Sequence, residues 1–439
     1  MNLIDFLGEI GIWTIFYAQT NIKLIFLLKF LRSFTYGGIS VILAIFLRDC
    51  GFAASSIGIF ISVGTLGDLI KTSCLGLILD TYGRRRLMRH CYLAMMTTSF
   101  IFQLTTIKPL LWLTVFAGII SVGGVEVSIY RPCEHAIIAQ KAQPSERSDF
   151  FTWYAFTGNL SSAMGSGVYG LLIWCLQDKF GWSELSAFKC VFFAVGLVYL
   201  LLFFLASLLD DKVELVRDHE ETPKSSDSEF EIDKQKPAPT STLQLIHSPR
   251  FGTIMQIIML FFVDVLCKAI IIDSWVAYYI VERFGSSTKT VGDIFLATHC
   301  VSAVMSLFGT VFCKRYGPIQ TMILTHFPCS VFVFLIPFST NMPMMVFFLL
   351  MRDVFKSMDM GSKSVFLSSV AHDNERAAAL SLQNSLRLLA QVIAPIITGF
   401  MANHDLQWAS FILSAVMRVV VYEGGVLLLF WKDRHKITI

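Results

Sequence analysis

Twelve apolar stretches set the limits on what this chain can fold into. They fall near residues 24–47, 54–79, 91–107, 110–138, 151–176 and 188–209, and again near 252–281, 290–313, 319–339, 343–370, 377–403 and 407–431. An α-helix needs about 20 apolar residues to cross the hydrocarbon core of a bilayer. In lipid each helix satisfies its own backbone hydrogen bonds. The expected fold class is therefore an all-α integral membrane protein with twelve transmembrane helices arranged as two six-helix repeats. Composition agrees: 55% of the 439 residues are hydrophobic and 15% charged, against roughly 25% charged in a soluble domain. The lipid bilayer is thus the chain's first partner.

Between the two sets, residues 210–248 change character, beginning DDKVELVRDHEETPKSSDSEFEID. High charge with proline and serine and few aromatics reads as a disordered, solvated linker. The expected organisation is a lead-in over 1–21, a six-helix bundle over 22–209, the linker over 210–248, a second bundle over 249–431 and a tail over 432–439. Residues 1–21 mix Asp5, Glu9, Trp13 and Tyr17 with aliphatics, which suits an interfacial amphipathic segment rather than a cleaved signal.

Lysine and arginine gather on one side. Connections on the side of both termini hold Arg84, Arg85, Arg86, Arg89, Lys141, Arg147, Lys314, Arg315 and Arg376, whereas the opposite ones hold little beyond Arg48, Lys108, Lys179, Arg283 and Lys289. Cytoplasmic loops carry the excess of positive charge, so both termini and the linker are expected in the cytoplasm. The pattern does not choose between the plasma membrane and an endomembrane. A net charge of +3 and the lack of a basic, aromatic-interleaved surface exclude nucleic acid as a partner. The ten cysteines stand singly, without a C-x-x-C pair, so neither a metal site nor a disulfide framework is expected. No nucleophile–base spacing points to an enzyme, and no cofactor is implied.

The halves repeat. A shift of 234 residues lays Ile57-Gly58 on Val291-Gly292, Tyr82-Gly83 on Tyr316-Gly317, and Pro109 on Pro343. Further along, a shift of 229 lays Glu146-Arg147 on Glu375-Arg376 and Gly170 on Gly399. Parallel six-helix repeats are an architecture of transporters that rock around a midplane site.

Charges inside the spans concentrate in the first, fourth, seventh and tenth. These carry Lys29 and Arg32; Glu126, Arg131 and Glu134; Asp264, Lys268 and Asp273; and Arg352, Asp353, Lys356, Asp359 and Lys363. Seven are basic and six acidic, which suits a polar or zwitterionic solute, or internal pairing. Intramembrane charges face a cavity or a partner, and both readings stay open: neutral pairs that lock helices, or groups that bind solute and carry a proton. Helical spacing places Lys29, Arg32 and Tyr36 on one face, makes a stripe of Arg352, Lys356, Asp359 and Lys363, and aligns Asp264, Lys268 and Trp275. Glu126 has no cation within a helical turn and is the best proton-carrier candidate. Glu134 lies three residues from Arg131 and is expected to pair with it. His299 could shuttle protons, though a lone histidine on an apolar helix is expected more often as a hydrogen-bonded packing residue.

Between the second and third spans stands Gly76-x-x-x-Asp80-x-x-Gly83-Arg84-Arg85. Gly76 permits close helix approach, Gly83 a tight turn, and Asp80 can meet an arginine or a helix N-terminus. This stretch resembles the signature loop of the major facilitator superfamily, and its place in a twelve-span chain matches. The resemblance implies a secondary transporter that alternates access, with Asp80 and Arg84 latching the halves and spans 1, 4, 7 and 10 lining a central cavity. The equivalent Lys314-Arg315-Tyr316-Gly317 lacks the acid. Span 5, GNLSSAMGSGVYG, lacks the proline of the drug–proton antiporter motif, and KRYGPIQ replaces the sugar-porter Gly-Arg-Arg loop. LRSFTYGG, YRPCEHA and ERSDFFTWY resemble fungal members of the superfamily with no fixed substrate. The expectation is a monomeric, proton-coupled transporter of a small polar solute. The alternatives are an exporter of drugs or amphiphiles, and a sensor or scaffold that moves nothing.

Overall fold

The computed structural model of the protein describes residues 11–117, 130–143, 146–210, 251–359, 366–367 and 375–432, and these contain helices and no strand. A short helix α1 (Ile12–Phe16) precedes α2 (Thr20–Asp49), α3 (Ala54–Tyr82), α4 (Arg84–Leu104), α5 (Lys108–Ala117), α6 (Tyr130–Lys141), α7 (Arg147–Trp174) and α8 (Glu184–Ser207). After the linker come α9 (Phe251–Ile270), α10 (Asp273–Phe284), α11 (Thr288–Tyr316), α12 (Pro318–Leu335), α13 (Met342–Lys356), α14 (Arg376–Asn403), α15 (Gln407–Met417) and α16 (Gly424–Lys432). Eight described segments are long and apolar enough to cross a membrane. We call the end from which the linker departs the linker end, and the opposite one the distal end.

The repeat visible in the sequence governs the backbone. Gly83 and Gly317, 234 residues apart, both take positive φ, at 97° and 80°. Each is the single residue between two long helices, a turn that L side chains resist. Gly51 and Gly285, at the same offset, also have positive φ, 77° and 60°. Pro109 and Pro343 both lie in the first turn of a helix, where proline's missing N–H costs nothing. The chain is two six-helix repeats in one all-α membrane fold.

Within the first half α2 packs on α7 and α4 on α8; within the second, α9 packs on α14 and α12 on α13. The halves meet chiefly where α7 crosses α11 and where α3 crosses α14. Aromatic side chains fill the interior: Phe46 packs against Phe102 and Phe192, and Tyr92 stacks on Tyr130.

Three local features depart from the sequence expectation. The arginines after Gly83 form the first turns of α4 instead of a loop. The seventh span is broken at Ile271–Ile272, so Asp264 and Lys268 lie on α9 while Trp275 lies on α10, and they share no continuous face. The tenth span leaves α-geometry after Lys356 into a 3₁₀ turn, Ser357–Asp359. The expected stripe therefore holds regular helical spacing only for Arg352 and Lys356; Lys363 lies outside the described residues.

The break is held by two neighbouring helices. Thr398 Oγ1 on α14 donates to the Ile270 carbonyl at 2.6 Å, and Ser414 Oγ on α15 donates to the Cys267 carbonyl at 2.7 Å, both in the last turn of α9. Broken helices persist at membrane depth when neighbouring side chains satisfy the freed backbone. Thr398→Val should therefore lower unfolding stability in detergent by about 1–3 kcal/mol, the cost of an orphaned buried acceptor. Unfolding midpoints of the two purified proteins check this, and equal midpoints would remove Thr398 from the support of the break.

Candidate functional site

Two charged clusters lie in the elements that face one another across the halves. The first belongs to α2, α6 and α7. Arg32 donates from Nη1 to Glu134 Oε1 and from Nη2 to Glu134 Oε2, both at 2.7 Å. The Tyr154 hydroxyl donates to Glu134 Oε2, and the guanidinium lies 4.7 Å from the centre of the Tyr130 ring. A planar fork on a planar carboxylate is the strong form of ion pair. Lys29, one turn earlier, places its ammonium 4.7 Å from the Tyr154 ring centre. It sits against Gly158, where a Cβ would come within 2.8 Å of Lys29 Cε. Glycine at 158 thus makes room for the lysine. The carboxylate of Glu134 is held by Arg32, across 102 residues; the expected neighbour Arg131 lies beyond the described side chains.

The second cluster surrounds the break in the seventh span. Asp273 opens α10, where a helix N-terminus favours an anion. Its carboxylate lies 3.6 Å from His299 Nε2 on α11 and 4.0 Å from Lys356 Nζ on α13. Lys356 is 3.6 Å from Asp353, which in turn holds Arg352 at 2.9 Å. Arg352 and Asp353 are buried, whereas the Lys356 side chain is 37% exposed. Contacts of 3.6–4.0 Å exceed hydrogen-bond length, so these charges are close neighbours that a small side-chain shift would bring into direct contact. His299 Nε2 and Ser274 Oγ have no hydrogen-bond partner among the described residues. The imidazole stacks on Phe295, 5.7 Å between centroids, while its outer nitrogen faces the Asp273 carboxylate.

Asp264 belongs elsewhere. Its carboxylate accepts from Arg418 Nε at 2.9 Å and lies 3.2 Å from Lys268 Nζ and 3.3 Å from His326 Nδ1. This network ties α9 to α12 and to a π-helical segment, Arg418–Glu423, in the last span. Buried ion networks that join helices are the structural alternative for such charges.

At the linker end Gly76 and Asp80 lie in the last turns of α3 and Gly83 forms the turn. Arg84 donates to Gln140 at 2.9 Å and Arg85 to the Leu209 carbonyl at 2.8 Å. Both join the start of α4 to the ends of α6 and α8 within the first half. Glu126 lies outside the described residues, as do the side chains of Asp80 and Asp359.

Sequence reasoning named Asp273, Asp353 and His299 without giving them a site, and it missed Tyr154 and Gly158. Asp273 had a readable signal: Ile270–Ile272 followed by Asp-Ser reads as a β-branched run ending at a helix start. Tyr154 had none, because its role depends on a partner 20 residues away.

The chain matches the model of the Major Facilitator Superfamily over residues 25–351 and again over 270–438. An uncharacterized membrane protein of Saccharomyces cerevisiae is 24% identical over 408 residues, covering 90% of this chain and 91% of the yeast protein. Among solved structures, a variant of the nucleoside transporter NupG superposes with a TM-score of 0.71 at 15% identity, covering 94% of this chain and all of that one. A D-xylose–proton symporter superposes with a TM-score of 0.69 at 14% identity, covering 96% of this chain and 98% of that one. A helical membrane fold built from two repeats, charged clusters on facing elements of each half, and a family match spanning both halves lead to one assignment: the chain is a membrane transporter belonging to the Major Facilitator Superfamily.

Proposed function

We propose that the protein is a proton-coupled secondary transporter that carries a small polar solute by rocking its two halves around the clusters described above. Lys29, Arg32, Glu134 and Tyr154 present the solute-facing groups of the first half; Asp273, His299, Arg352 and Lys356 present those of the second. The cluster at the break carries the reading. Asp273, His299 and Lys356 are gathered at 3.6–4.0 Å, close enough to exchange a proton after a small side-chain movement and too far to be locked in direct hydrogen bonds. The arginines and lysines of the linker-end connections support cytoplasmic termini. The solved D-xylose–proton symporter of similar fold supports coupling to protons. The loop from Gly76 to Arg85 is the linker-end latch, with Asp80 its acid between the halves and Arg84 and Arg85 seating it on the first half.

Removing the titratable group at Asp273 by Asp273→Asn should abolish accumulation driven by a pH gradient while leaving solute exchange across proteoliposomes within about threefold. Glu126→Gln should do the same if Glu126 carries the proton instead. Gradient-driven uptake that survives both substitutions would sink proton coupling through either carboxylate.

A further inference from the structure

Arg48 and Glu282 form an ion pair of 2.6 Å at the distal end, and they are 234 residues apart. That separation is the repeat offset, so the two residues hold the same position in the two halves. A side chain and its image under a two-fold rotation can touch only beside the rotation axis. The pair therefore marks the pseudo-two-fold axis, where α2 and α10 end.

The neighbouring residues sharpen the point. The first repeat reads Arg48-Asp49 and the second Glu282-Arg283, so the order of charge is inverted between the copies. A faithful duplication would have set arginine against arginine on the axis, and like charges in contact repel. The inversion turns that repulsion into attraction. Asp49 braces the arginine on its own side, 3.2 Å from Arg48 Nη2. Further contacts between the halves stand around the axis: Thr288 donates to Glu184 at 3.1 Å, and Ser55 donates to Asn403 at 3.5 Å.

We propose that Arg48 and Glu282 are an axial clasp that holds the distal ends together and biases the resting transporter toward access from the linker end. The clasp rests on the alternating-access reading. It must part each time the distal ends separate. Arg48 is 31% and Glu282 47% exposed, so water screens the pair. An exposed ion pair shifts an equilibrium only a few-fold, a strength that sets a balance without stopping the cycle. Salt should weaken it, since exposed charges are screened within about 10 Å at 0.1 M ionic strength.

Amide hydrogen exchange of the full-length protein in lipid nanodiscs tests the clasp. Arg48→Glu and Glu282→Arg each place like charges on the axis. Each should raise exchange in residues 50–57 and 284–291 by roughly threefold to tenfold, about twice the reach of one lost exposed pair. Protection at the linker end, in residues 82–90 and 376–384, should rise reciprocally. The double variant Arg48→Glu/Glu282→Arg should recover most of the lost protection, short of wild type because the new glutamate lies beside Asp49 and the new arginine beside Arg283, and this recovery excludes a general loss of folding. Single variants that exchange like the wild type, or a double variant no better protected than either single one, overturn the clasp. Distal loosening with no reciprocal change at the linker end overturns the alternating-access reading and, with it, the bias assigned to the pair.

Discussion

Replacing Glu134 with glutamine should cost the protein about 3–5 kcal/mol of stability, the usual penalty for removing one partner of a buried pair. The whole group around it is buried: Arg32 3% and Tyr154 4% exposed, Glu134 not at all. The guanidinium has given both outer nitrogens to one carboxylate. A glutamine can accept one of those bonds but offers an amide N–H to the other nitrogen, and no negative charge. Arg32 would then be a buried cation with the Tyr130 ring near it and Lys29 one turn away. The apparent melting temperature of Glu134→Gln in detergent checks the first part. The double variant Arg32→Met/Glu134→Leu checks the second, because it removes both charges and keeps most of the volume. Apolar replacement of a complete buried pair is often neutral or stabilising, so the double variant should regain most of the lost stability. If the pair serves solute, transport stays abolished in that folded protein. Recovery of transport along with stability would assign Arg32 and Glu134 to holding α2 against α6, with no part in binding.

That experiment also addresses what the sequence leaves open. Hydropathy finds spans because each crosses lipid on its own account, and the glycine turns at 83 and 317 are visible because backbone geometry at one residue demands them. Charge partners are a different kind of information. Glu134 has an arginine three residues away in sequence, yet its carboxylate is held by Arg32 on another helix. Asp264 shares the seventh span with Asp273, yet it faces α12 and the last span, where Arg418 and His326 meet it. A one-dimensional spacing rule assumes a straight helix, and the interruption at Ile271–Ile272 separates Asp264 and Lys268 from Trp275. The signature loop was legible as a motif, but the arginine contacts that seat it, to Gln140 and to the Leu209 carbonyl, depend on where α6 and α8 end. What was legible follows from local chemistry; what was not depends on the packing of helices.

The second large effect is expected at the crossings of the two halves. The glycines that match between the repeats, Gly58 with Gly292 and Gly170 with Gly399, meet one another crosswise. A Cβ on Gly399 would lie 2.8 Å from Gly58 Cα, and one on Gly292 would lie 2.7 Å from the Ser166 carbonyl oxygen and 3.1 Å from Gly170 Cα. Each obstacle is backbone, so no rotamer change can relieve it, and close-packed interiors absorb little strain. Small residues let membrane helices approach to this distance. Gly399→Val and Gly292→Val should therefore keep α3 from α14 and α11 from α7 at the distal end, and hold the transporter open there. Turnover should fall at least about a hundredfold, because a two-state carrier biased by about 2.7 kcal/mol spends only about one part in a hundred in the other state. Solute offered to the distal face should still bind, and reagents that react only from the distal side should gain access to the Lys356 region. Gly252 supplies the control, because a Cβ added there would meet nothing within 4 Å. Gly252→Ala should leave turnover unchanged. If the valine variants bind solute and still cycle at wild-type rates, the crossings are not the surfaces that close, and the distal ends of the halves must meet elsewhere during transport.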